Sequence, residues 1–499
     1  MKVDVLIYGD EVESVLTAVS AARQGVKVSI VRRSKGRLGG LSVRGGLSYM
    51  DITPEFVCGI FAEFLQRCGV VRIALNAEKA VNVLQSMLEE SSVAVYSGYQ
   101  VEQILSAQEI LFRDAEGEQL ICRTQILIDA SPDEDIARAL GVPYICGLGG
   151  LLGPDRNFLG VSPVFRITNV SVKALQDFEA RLRANPELPD ILKAALPYHP
   201  EKLHSEYVSR PTFAPDDMDY LDILNPVIGI DYHIWRHGSP ETYAQAAMAI
   251  DGGNISRLED GSLGFNGLVA TAKGLNLNFD SLLKLSRDGE TPAVLTEEMQ
   301  HFQRYLRERA GFKNAEVIPP ESLYIRQTLT LISHRNMTAK MMLAGGTEPS
   351  RALGTFSYWL DLRGIPFWQA FPNEPELAKP VFNLDAGVAY SDRSGLENLG
   401  FVSRSAGYSP IGQGAGRIIQ HNSLLGEAIG VAAALACQNK RSLKSQLEEH
   451  LTEVQFILQI VRDGHCPLSG HATLDEAQLA QSQMLANDEQ IIKAHGGTV

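Results

Sequence analysis

The chain has 499 residues, of which 45% are hydrophobic and 21% are charged, so it is long enough to bury the cores of two or three domains. The formal net charge of −14 argues against a nucleic-acid partner or an anionic membrane surface, because phosphate binding draws on clustered Lys and Arg. The six widely spaced cysteines include no C-x-x-C pair and indicate neither a zinc site nor a disulfide framework.

Two further features of the sequence set the expected location. No stretch reaches the ~20 consecutive apolar residues of a membrane span. The first residues lack the basic region, apolar core and cleavage site of a signal peptide. We therefore expect a cytoplasmic protein with reduced thiols and no integral membrane segment.

The first predicted elements form a βαβ unit over residues 4–42. An apolar strand at residues 5–7 runs into Gly9, an amphipathic helix follows, and a second apolar strand comes at residues 26–31. Dinucleotide-binding units carry the fingerprint G-x-G-x-x-G, in which the first Gly makes the turn, the second admits a pyrophosphate and the third lets helix pack on strand. Here those three positions hold Gly9, Glu11 and Ser14.

Further elements follow in chain order up to residue 131. A glycine-rich turn, "GRLGGLSVRGGLSYMD", occupies residues 36–51, and a helical stretch covers residues 54–90. Residues 93–131 then alternate between apolar and polar, with breaks at Gly98 and Gly117. This pattern predicts a β-meander that ends in a buried strand at residues 125–128.

The remaining chain divides into three parts. Residues 147–319 hold Pro-containing loops and charged helices without strand–helix alternation, which predicts a separate cap or substrate domain. Residues 397–438 offer a strand, a glycine-rich loop and a helix rich in Ala and Gly that starts near residue 422, as expected of a helix packed tightly on a sheet. The residues after 440 are amphipathic and then polar.

Four separated segments together resemble the FAD-dependent oxidoreductase family of glutathione-reductase-like flavoproteins. The loop "LGGLSVRGGLSYMD" is similar to that family's L-G-G-L/M loop, and "ILIDASPDEDIARALGVPY" is similar to I-D-A-T-G-D-G-D-L-A-x-x-A-G-V-P. "ENLGFVSRSAGYSPIGQGAGRIIQHNSLLGEAIGVAAALA" resembles N-L-L-V-A-G-R with its downstream R-V and G-Q-A-A-G segments. "PPESLYIRQTLTL" is a weaker match to Y-I-R-E-[ST]-R. Their order and spacing agree, which is more specific than one glycine motif.

The resemblance implies an α/β fold: a glutathione-reductase-like Rossmann FAD-binding domain with an inserted α+β cap or substrate domain. We expect the FAD-binding domain over residues 1–146 and 380–440, the cap over 147–379, and a C-terminal helical extension and tail over 441–499. The implied cofactor is FAD. The implied function is an oxidoreductase that acts on an unidentified small molecule by hydride transfer through flavin N5.

The resemblance also implies a set of cofactor-binding residues. Gly9, Glu11 and Ser14 lie in the first turn, and Arg32 and Arg33 follow the second strand. The other implied contacts are Arg37, Gly39, Gly40, Leu41, Asp129, Arg404, Gly414, Arg417 and Gly426.

Other interpretations of these residues stay open. Carboxylates at Glu11 and Glu13 favour the positive end of the helix dipole yet oppose a phosphate there, although the family branch accepts G-S-E-P-E-G, which implies that Glu13 points to solvent. Arg32 replaces the usual acidic residue and suits a 2′-phosphate, as in NADP recognition. Asp129 fits a helix cap as well as a cofactor contact. The arginines at 37 and 44 suit the approach of an anion.

The candidate catalytic residues lie in "YIRQTLTLISHRN". Alternation in this strand-like run puts Tyr324 and Arg326 on one face, where Arg326 suits a substrate carboxylate and His334 suits a proton relay. A structural role for His334 is the alternative. No Ser-His-Asp set, phosphate-binding loop or metal-ligand set is indicated.

A second hypothesis rests on departures from the family pattern. Glu11, Glu13, Arg32, Pro132, Glu134 and Gln327 all differ at ligand-facing positions, whereas packing positions such as "VAAALA" agree. The alternative is therefore a degenerate flavoprotein fold that serves as a binding or assembly protein without redox turnover. This alternative predicts a protein partner, whereas the oxidoreductase hypothesis predicts a small-molecule substrate.

Overall fold

The structure is a computed structural model that describes residues 1–106, 108–153, 157–196, 220–222, 227–362, 379–465 and 468–499. For residues 220–222, 251–253 and 288 only the backbone is described. The strands are β1 Lys2–Tyr8, β2 Val28–Arg32, β3 Ala94–Ser97, β4 Gln100–Ser106, β5 Glu109–Arg113, β6 Gln119–Asp129, β7 Tyr144–Cys146, β8 Val161–Ser162, β9 Phe165–Thr168, β10 Tyr220–Asp222, β11 Met248–Arg257, β12 Leu263–Ala270, β13 Glu316–Ile318, β14 Tyr324–Ile325, β15 Leu329–Leu331, β16 Ala352–Ser357, β17 Val381–Asp385 and β18 Leu399–Phe401.

The α-helices of the described residues follow in the same order. They are α1 Val12–Arg23, α2 Gly40–Val43, α3 Gly59–Cys68, α4 Ala77–Glu90, α5 Asp135–Ala139, α6 Val172–Arg183, α7 Leu188–Ala195, α8 Val227–His237, α9 Phe279–Asp288, α10 Ala293–Glu308, α11 Ala339–Leu343, α12 Gln413–Gly416, α13 Ile419–Asn439, α14 Leu443–Glu448, α15 Leu451–Val461, α16 Glu476–Gln481 and α17 Gln483–Ala494.

The first sheet has a parallel core with an antiparallel edge. Its order is β3-β2-β1-β6-β5-β4, and β18 also pairs with β6. Strands β3, β2, β1, β6 and β18 run parallel, whereas β4, β5 and the first half of β6 form the predicted antiparallel meander. The apolar runs in β1, β2 and β6 are those of strands covered on both faces. The predicted α/β class is therefore confirmed.

Helices α1 and α13 lie against each other beside this sheet. Gly426 and Gly430 of α13 make that approach close, because an added Cβ would lie 2.3 Å from the Thr17 Oγ1 atom and 2.5 Å from the Thr17 carbonyl oxygen, respectively. Almost every residue of α13 is buried, and the helix begins at Ile419 rather than near residue 422. A segment from the C-terminal third thus packs on the first βαβ unit, while the exact domain bounds stay a prediction.

The second sheet lies in the region predicted to be a cap. Its order is β10-β11-β12-β8-β14, with β9 joining β12 to β13. Its own core contains stacked and edge-on aromatic rings, among them Phe165, Phe265, Phe302 and Tyr305. Every residue of β12 is buried, so this strand has no polar–apolar alternation, and for that reason the sequence pattern did not reveal it.

Two further observations concern the helices and the cysteines. Within the described ranges, no helix combines the length and apolar character needed to cross a bilayer. The described cysteines, Cys58, Cys68, Cys122, Cys146 and Cys437, are all free thiols, and Cys466 lies outside the described residues.

Candidate functional site

A cleft of about 250 Å³ opens where three neighbouring parallel strands end. Tyr8 ends β1 and Gly9 follows it, Arg33 follows β2 and Ser131 follows β6, and all four line the cleft. Residues from the second region close its other side: Leu285, Ser286, Arg287, Gly289, Glu321, Ser322 and Leu323. In open α/β sheets, ligands bind in the crevice outside the carboxyl ends of the strands.

The turn after β1 retains two of the three structural roles of the fingerprint. A Cβ on Gly9 would lie 2.3 Å from the carbonyl oxygen of Ala130, so only Gly fits between β1 and the end of β6. Ser14, at the third glycine position, donates its hydroxyl to that same carbonyl oxygen at 2.9 Å. The small serine thereby maintains the close packing of helix on strand.

Glu11 departs from the fingerprint in a defined geometry. Its carboxylate turns toward the glycine-rich loop and accepts a hydrogen bond from the backbone N–H of Leu41 at 2.7 Å. A Cβ on Gly40 would lie 2.0 to 2.1 Å from the three carboxylate atoms. The space that Gly40 leaves open is therefore filled by an anionic group of the chain itself.

Glu13 does not point to solvent, and that expectation is wrong. The residue is only 6% exposed, and its Oε2 atom has no hydrogen-bond partner. Burial, followed by the neighbouring Glu11, raises the pKa of Glu13 to about 8. The side chain therefore keeps its proton at neutral pH, because the interior disfavours its charged form.

The arginines next to the first turn are already paired. Arg44 contacts Asp10 through two nitrogens, at 2.5 and 3.1 Å. Arg32 does not line the cleft: its Nε donates to the Ser97 hydroxyl, its Nη2 to the Gly36 carbonyl oxygen, and its Nη1 to Asp10 at 3.4 Å. The neighbouring Arg33 does line it.

The loop after β2 brings three more predicted residues near the cleft. Arg37 pairs with Glu78 and with Glu321. Gly39 has a φ of 99°, and a Cβ there would lie 2.6 Å from a Val43 methyl group, so both backbone and packing require Gly. Leu41 lines the cleft directly.

Asp129 serves as a cap for α5. Its carboxylate accepts the backbone N–H groups of Ile136 and Ala137 at 2.7 and 2.9 Å and the Ser131 hydroxyl at 2.6 Å. Burial raises its pKa to about 6. This geometry agrees with the helix-cap interpretation, and Asp129 is absent from the residues that line the cleft.

Arg404 links the C-terminal segment to the cleft, which it lines. Its Nη2 lies 2.9 Å from Asp133 and 2.8 Å from the Ser286 hydroxyl. Its Nε atom is buried and has no hydrogen-bond partner. A buried donor nitrogen without an acceptor marks a position where an anionic ligand would satisfy a protein group.

A second polar cluster surrounds the beginning of α13, beside a small cavity of about 10 Å³. Arg417 lies 2.6 Å from Asp361 and also contacts the Tyr324 hydroxyl. The guanidinium carbon of Arg326 lies 4.3 Å from the centroid of the Tyr324 ring, so the two predicted residues do share a face. Arg326 also donates to the Ser162 hydroxyl at 2.8 Å.

Three other predicted residues lie elsewhere. His334 hydrogen-bonds Asp392 at 2.9 Å and stacks on Tyr390 with 4.9 Å between ring centroids, and it lines neither cavity. A Cβ on Gly414 would lie 2.7 Å from the backbone nitrogen of Asp361, and Gly426 packs on α1. Both glycines thus have a packing role.

Sequence reasoning missed several residues of the two clusters. Asp10 and Asp133 lie inside the quoted motifs, so a search for polar residues directly after strands would have found them. Asp361, Ser286 and Arg287 carried no local signal, because only tertiary folding brings them to the site.

The family comparison agrees with this geometry. The sequence profile described as FAD dependent oxidoreductase matches residues 4–458. The chain belongs to this family. The resemblance noted from the motifs and the prediction of FAD as cofactor are thereby confirmed. A search of curated proteins gave no match.

Several solved structures are similar to this family member at low identity. They include p-nitrophenol 4-monooxygenase PnpA from Pseudomonas putida DLL-E4, with 10% identity over 99% of this chain and 95% of that one and a TM-score of 0.42. The flavin-dependent monooxygenase PieE, in complex with FAD and substrate, has 10% identity over 99% and 72% and a TM-score of 0.40. A geranylgeranyl bacteriochlorophyll reductase-like protein from Thermoplasma acidophilum has 11% identity over 100% and 92% and a TM-score of 0.40. Similarity at this level says nothing about the substrate.

The residues of the cleft fit the adenosine diphosphate part of FAD. Arg33, Arg44 and Arg404 face the cleft at the ends of the parallel strands, and the buried Nε of Arg404 lacks an acceptor. The buried Glu13 is uncharged at neutral pH, so it adds no negative charge to the carboxylates that already line the cleft.

Proposed function

We propose that this family member is an FAD-dependent oxidoreductase that acts on an unidentified small molecule by hydride transfer through flavin N5. One observation carries the proposal: the cleft at the carboxyl ends of β1, β2 and β6 is lined by four arginines, and one of them, Arg404, belongs to the family's C-terminal segment. Bound FAD supplies an isoalloxazine ring that accepts or donates a hydride at N5.

In this proposal the cleft residues hold the nucleotide end of the cofactor. Arg404 and Arg44 bind phosphate oxygens through guanidinium nitrogens. The first backbone N–H groups of α1 contribute the positive end of the helix dipole. Arg33 and Ser34, which line the cleft after β2, contact the adenosine end. Arg32 is left as a structural residue because its nitrogens are engaged by Asp10, Ser97 and Gly36.

The cluster at the beginning of α13 holds the reacting groups in this proposal. The buried Arg417 and the N-terminal end of α13 present positive charge, which stabilises negative charge that develops nearby. Tyr324 is the candidate proton donor, and the guanidinium group of Arg326 packs on its ring and keeps the ring in place. A proton relay through His334 is not part of this proposal, because that ring is paired with Asp392 outside both cavities.

The absorbance spectrum of the purified protein tests the proposal. We expect a flavin band at about 450 nm after incubation with FAD, bleaching by dithionite, and FAD in the mass spectrum of the released ligand. Arg404→Ala should lower FAD retention, whereas Arg393→Ala, which removes a surface arginine bonded to the Gly141 carbonyl oxygen, should not. Protein that stays colourless in excess FAD and instead retains a stable protein partner would support the binding-protein alternative.

A further inference from the structure

The carboxylate of Glu11 lies where the fingerprint expects a phosphate. Residue 11 occupies the second glycine position, whose lack of a side chain admits the pyrophosphate in dinucleotide-binding units. Here Glu11 is the N-cap residue of α1, but its carboxylate turns to the glycine-rich loop and accepts the Leu41 N–H at 2.7 Å. It also lines the cleft. A carboxylate and a phosphate oxygen need the same partners, namely backbone N–H groups and positive charge.

The surrounding charges hold this group in place. Burial, followed by Asp10, raises the pKa of Glu11, whereas Arg44 and Arg404 lower it. Arg44 contacts Asp10 directly, and Arg404 contacts Asp133, so neither arginine forms a direct ion pair with Glu11. The Leu41 amide is therefore the direct partner of the carboxylate, and the side chain makes no hydrogen bond to α1.

We infer that Glu11 is an internal carboxylate that competes with the cofactor's phosphate for the backbone amide of the Leu41 loop, and that it thereby sets the affinity for FAD. The inference rests on the proposed function. It accounts for the intact strand-turn-helix in a chain that lacks two glycines of the fingerprint: the carboxylate satisfies the loop amide when no phosphate is bound. FAD binding then requires the carboxylate to move away, which weakens the cofactor's net affinity.

Equilibrium titrations test this inference with three ligands: FAD, ADP and riboflavin. The variants are Glu11→Gln, which keeps an acceptor for the Leu41 N–H but no charge, Glu11→Gly, and Glu63→Gln as a control on the exposed face of α3. We expect both Glu11 variants to bind FAD and ADP about tenfold more tightly than the unchanged protein. Riboflavin, which has no pyrophosphate, should bind equally to all, and Glu63→Gln should change nothing.

The outcomes separate this inference from the proposed function. Equal or weaker FAD and ADP binding by the folded Glu11→Gln variant would overturn the inference while FAD binding by the unchanged protein upholds the proposed function. Tighter ADP binding without FAD binding by any variant would uphold the competition and overturn the flavoprotein function. If neither FAD nor ADP binds to the unchanged protein or to any variant, both the inference and the proposed function are overturned. Thermal unfolding without ligand confirms that each variant is folded.

Discussion

Guanidinium and carboxylate groups lie side by side around the cleft. Arg44 pairs with Asp10, and Arg404 pairs with Asp133. Each arginine therefore enters ligand binding already partnered, and a phosphate must compete for its remaining nitrogens. For Arg404 one such nitrogen is buried and unsatisfied, which makes it the strongest single candidate for a phosphate contact.

Glu13 gives a prediction about pH. Its pKa of about 8 in the folded protein lies above the ordinary value of 4.5, so the folded state binds more protons than the unfolded state between these pH values. The contribution of Glu13 to the free energy of unfolding therefore falls as pH rises from about 4.5 to 8. Glu13→Gln removes this dependence, and the variant should be the more stable protein at pH 8.

Urea denaturation at a series of pH values measures this effect. The difference between Glu13→Gln and the unchanged protein should grow as pH rises toward 8. Glu63→Gln removes a carboxylate whose pKa is lowered by its hydrogen bond with Arg23, so the difference for this variant should not grow over that range. Buried acids that do not act on Glu13, such as Asp129 and Asp488, titrate in both proteins and cancel in the difference. Parallel stability profiles for Glu13→Gln and the unchanged protein would contradict the burial of an uncharged Glu13.

Among the contacts between elements, the packing of α1 on α13 joins the first βαβ unit to a helix from the C-terminal third of the chain. Its closeness depends on Gly426 and Gly430, one turn apart on α13 and both facing Thr17. Ser20 of α1 adds a hydrogen bond from its hydroxyl to the Glu427 carbonyl oxygen at 2.8 Å. Two helices can approach this closely only where the residues at their crossing have small side chains or none.

Substitutions of the two glycines should depend differently on the side chain of Thr17. Gly426→Ala places its methyl group against the Thr17 hydroxyl, and Gly430→Ala places it against the Thr17 carbonyl oxygen. Each should lower the free energy of unfolding by about 1–3 kcal/mol. Thr17→Ala should restore part of the stability of Gly426→Ala and none of that of Gly430→Ala, because the carbonyl group remains.

Double-mutant cycles from urea denaturation provide the measurement. A coupling free energy near zero between Thr17 and Gly426 would show that the contact is not the source of the destabilisation. Equal coupling of Thr17→Ala to both glycine variants would be equally inconsistent with the described geometry.

At the scale of the whole molecule, the C-terminal helix α17 fixes the loop that precedes α12. Asp488 is fully buried and accepts the Ile411 N–H at 2.9 Å, the Ser409 hydroxyl at 2.5 Å and the Ala339 N–H at 3.3 Å. The extension after residue 440 is thus bonded to the glycine-rich loop of the family's C-terminal motif.

Asp488→Ala tests this anchoring. The change leaves buried N–H groups without an acceptor, which costs about 1–3 kcal/mol and should increase amide hydrogen exchange around Ile411 and Ala339 by roughly ten- to a hundredfold. Asp475→Ala, which removes the N-cap of the neighbouring α16, should lower stability without changing exchange at Ile411. Unchanged protection at Ile411 in Asp488→Ala would contradict the anchoring.

Local sequence signals were sufficient to predict several elements of the fold. The apolar runs of β1, β2 and β6, the meander before β6 and the small-residue helix α13 follow from residue periodicity and packing size, and motifs in register along the chain identified the family. Tyr324 and Arg326 were placed on one face because strand alternation fixes side-chain direction.

The pairing of the charged residues, in contrast, depends on contacts between elements that are distant in the sequence. Glu11 meets Leu41 across 30 residues, Arg417 meets Asp361 across 56, and His334 meets Asp392 across 58. Periodicity says which residues turn inward, but it does not say which partner from another element they find there. The family pattern G-S-E-P-E-G implied that Glu13 points to solvent, but α13, from the far end of the chain, packs on the first turn of α1 beside Glu13.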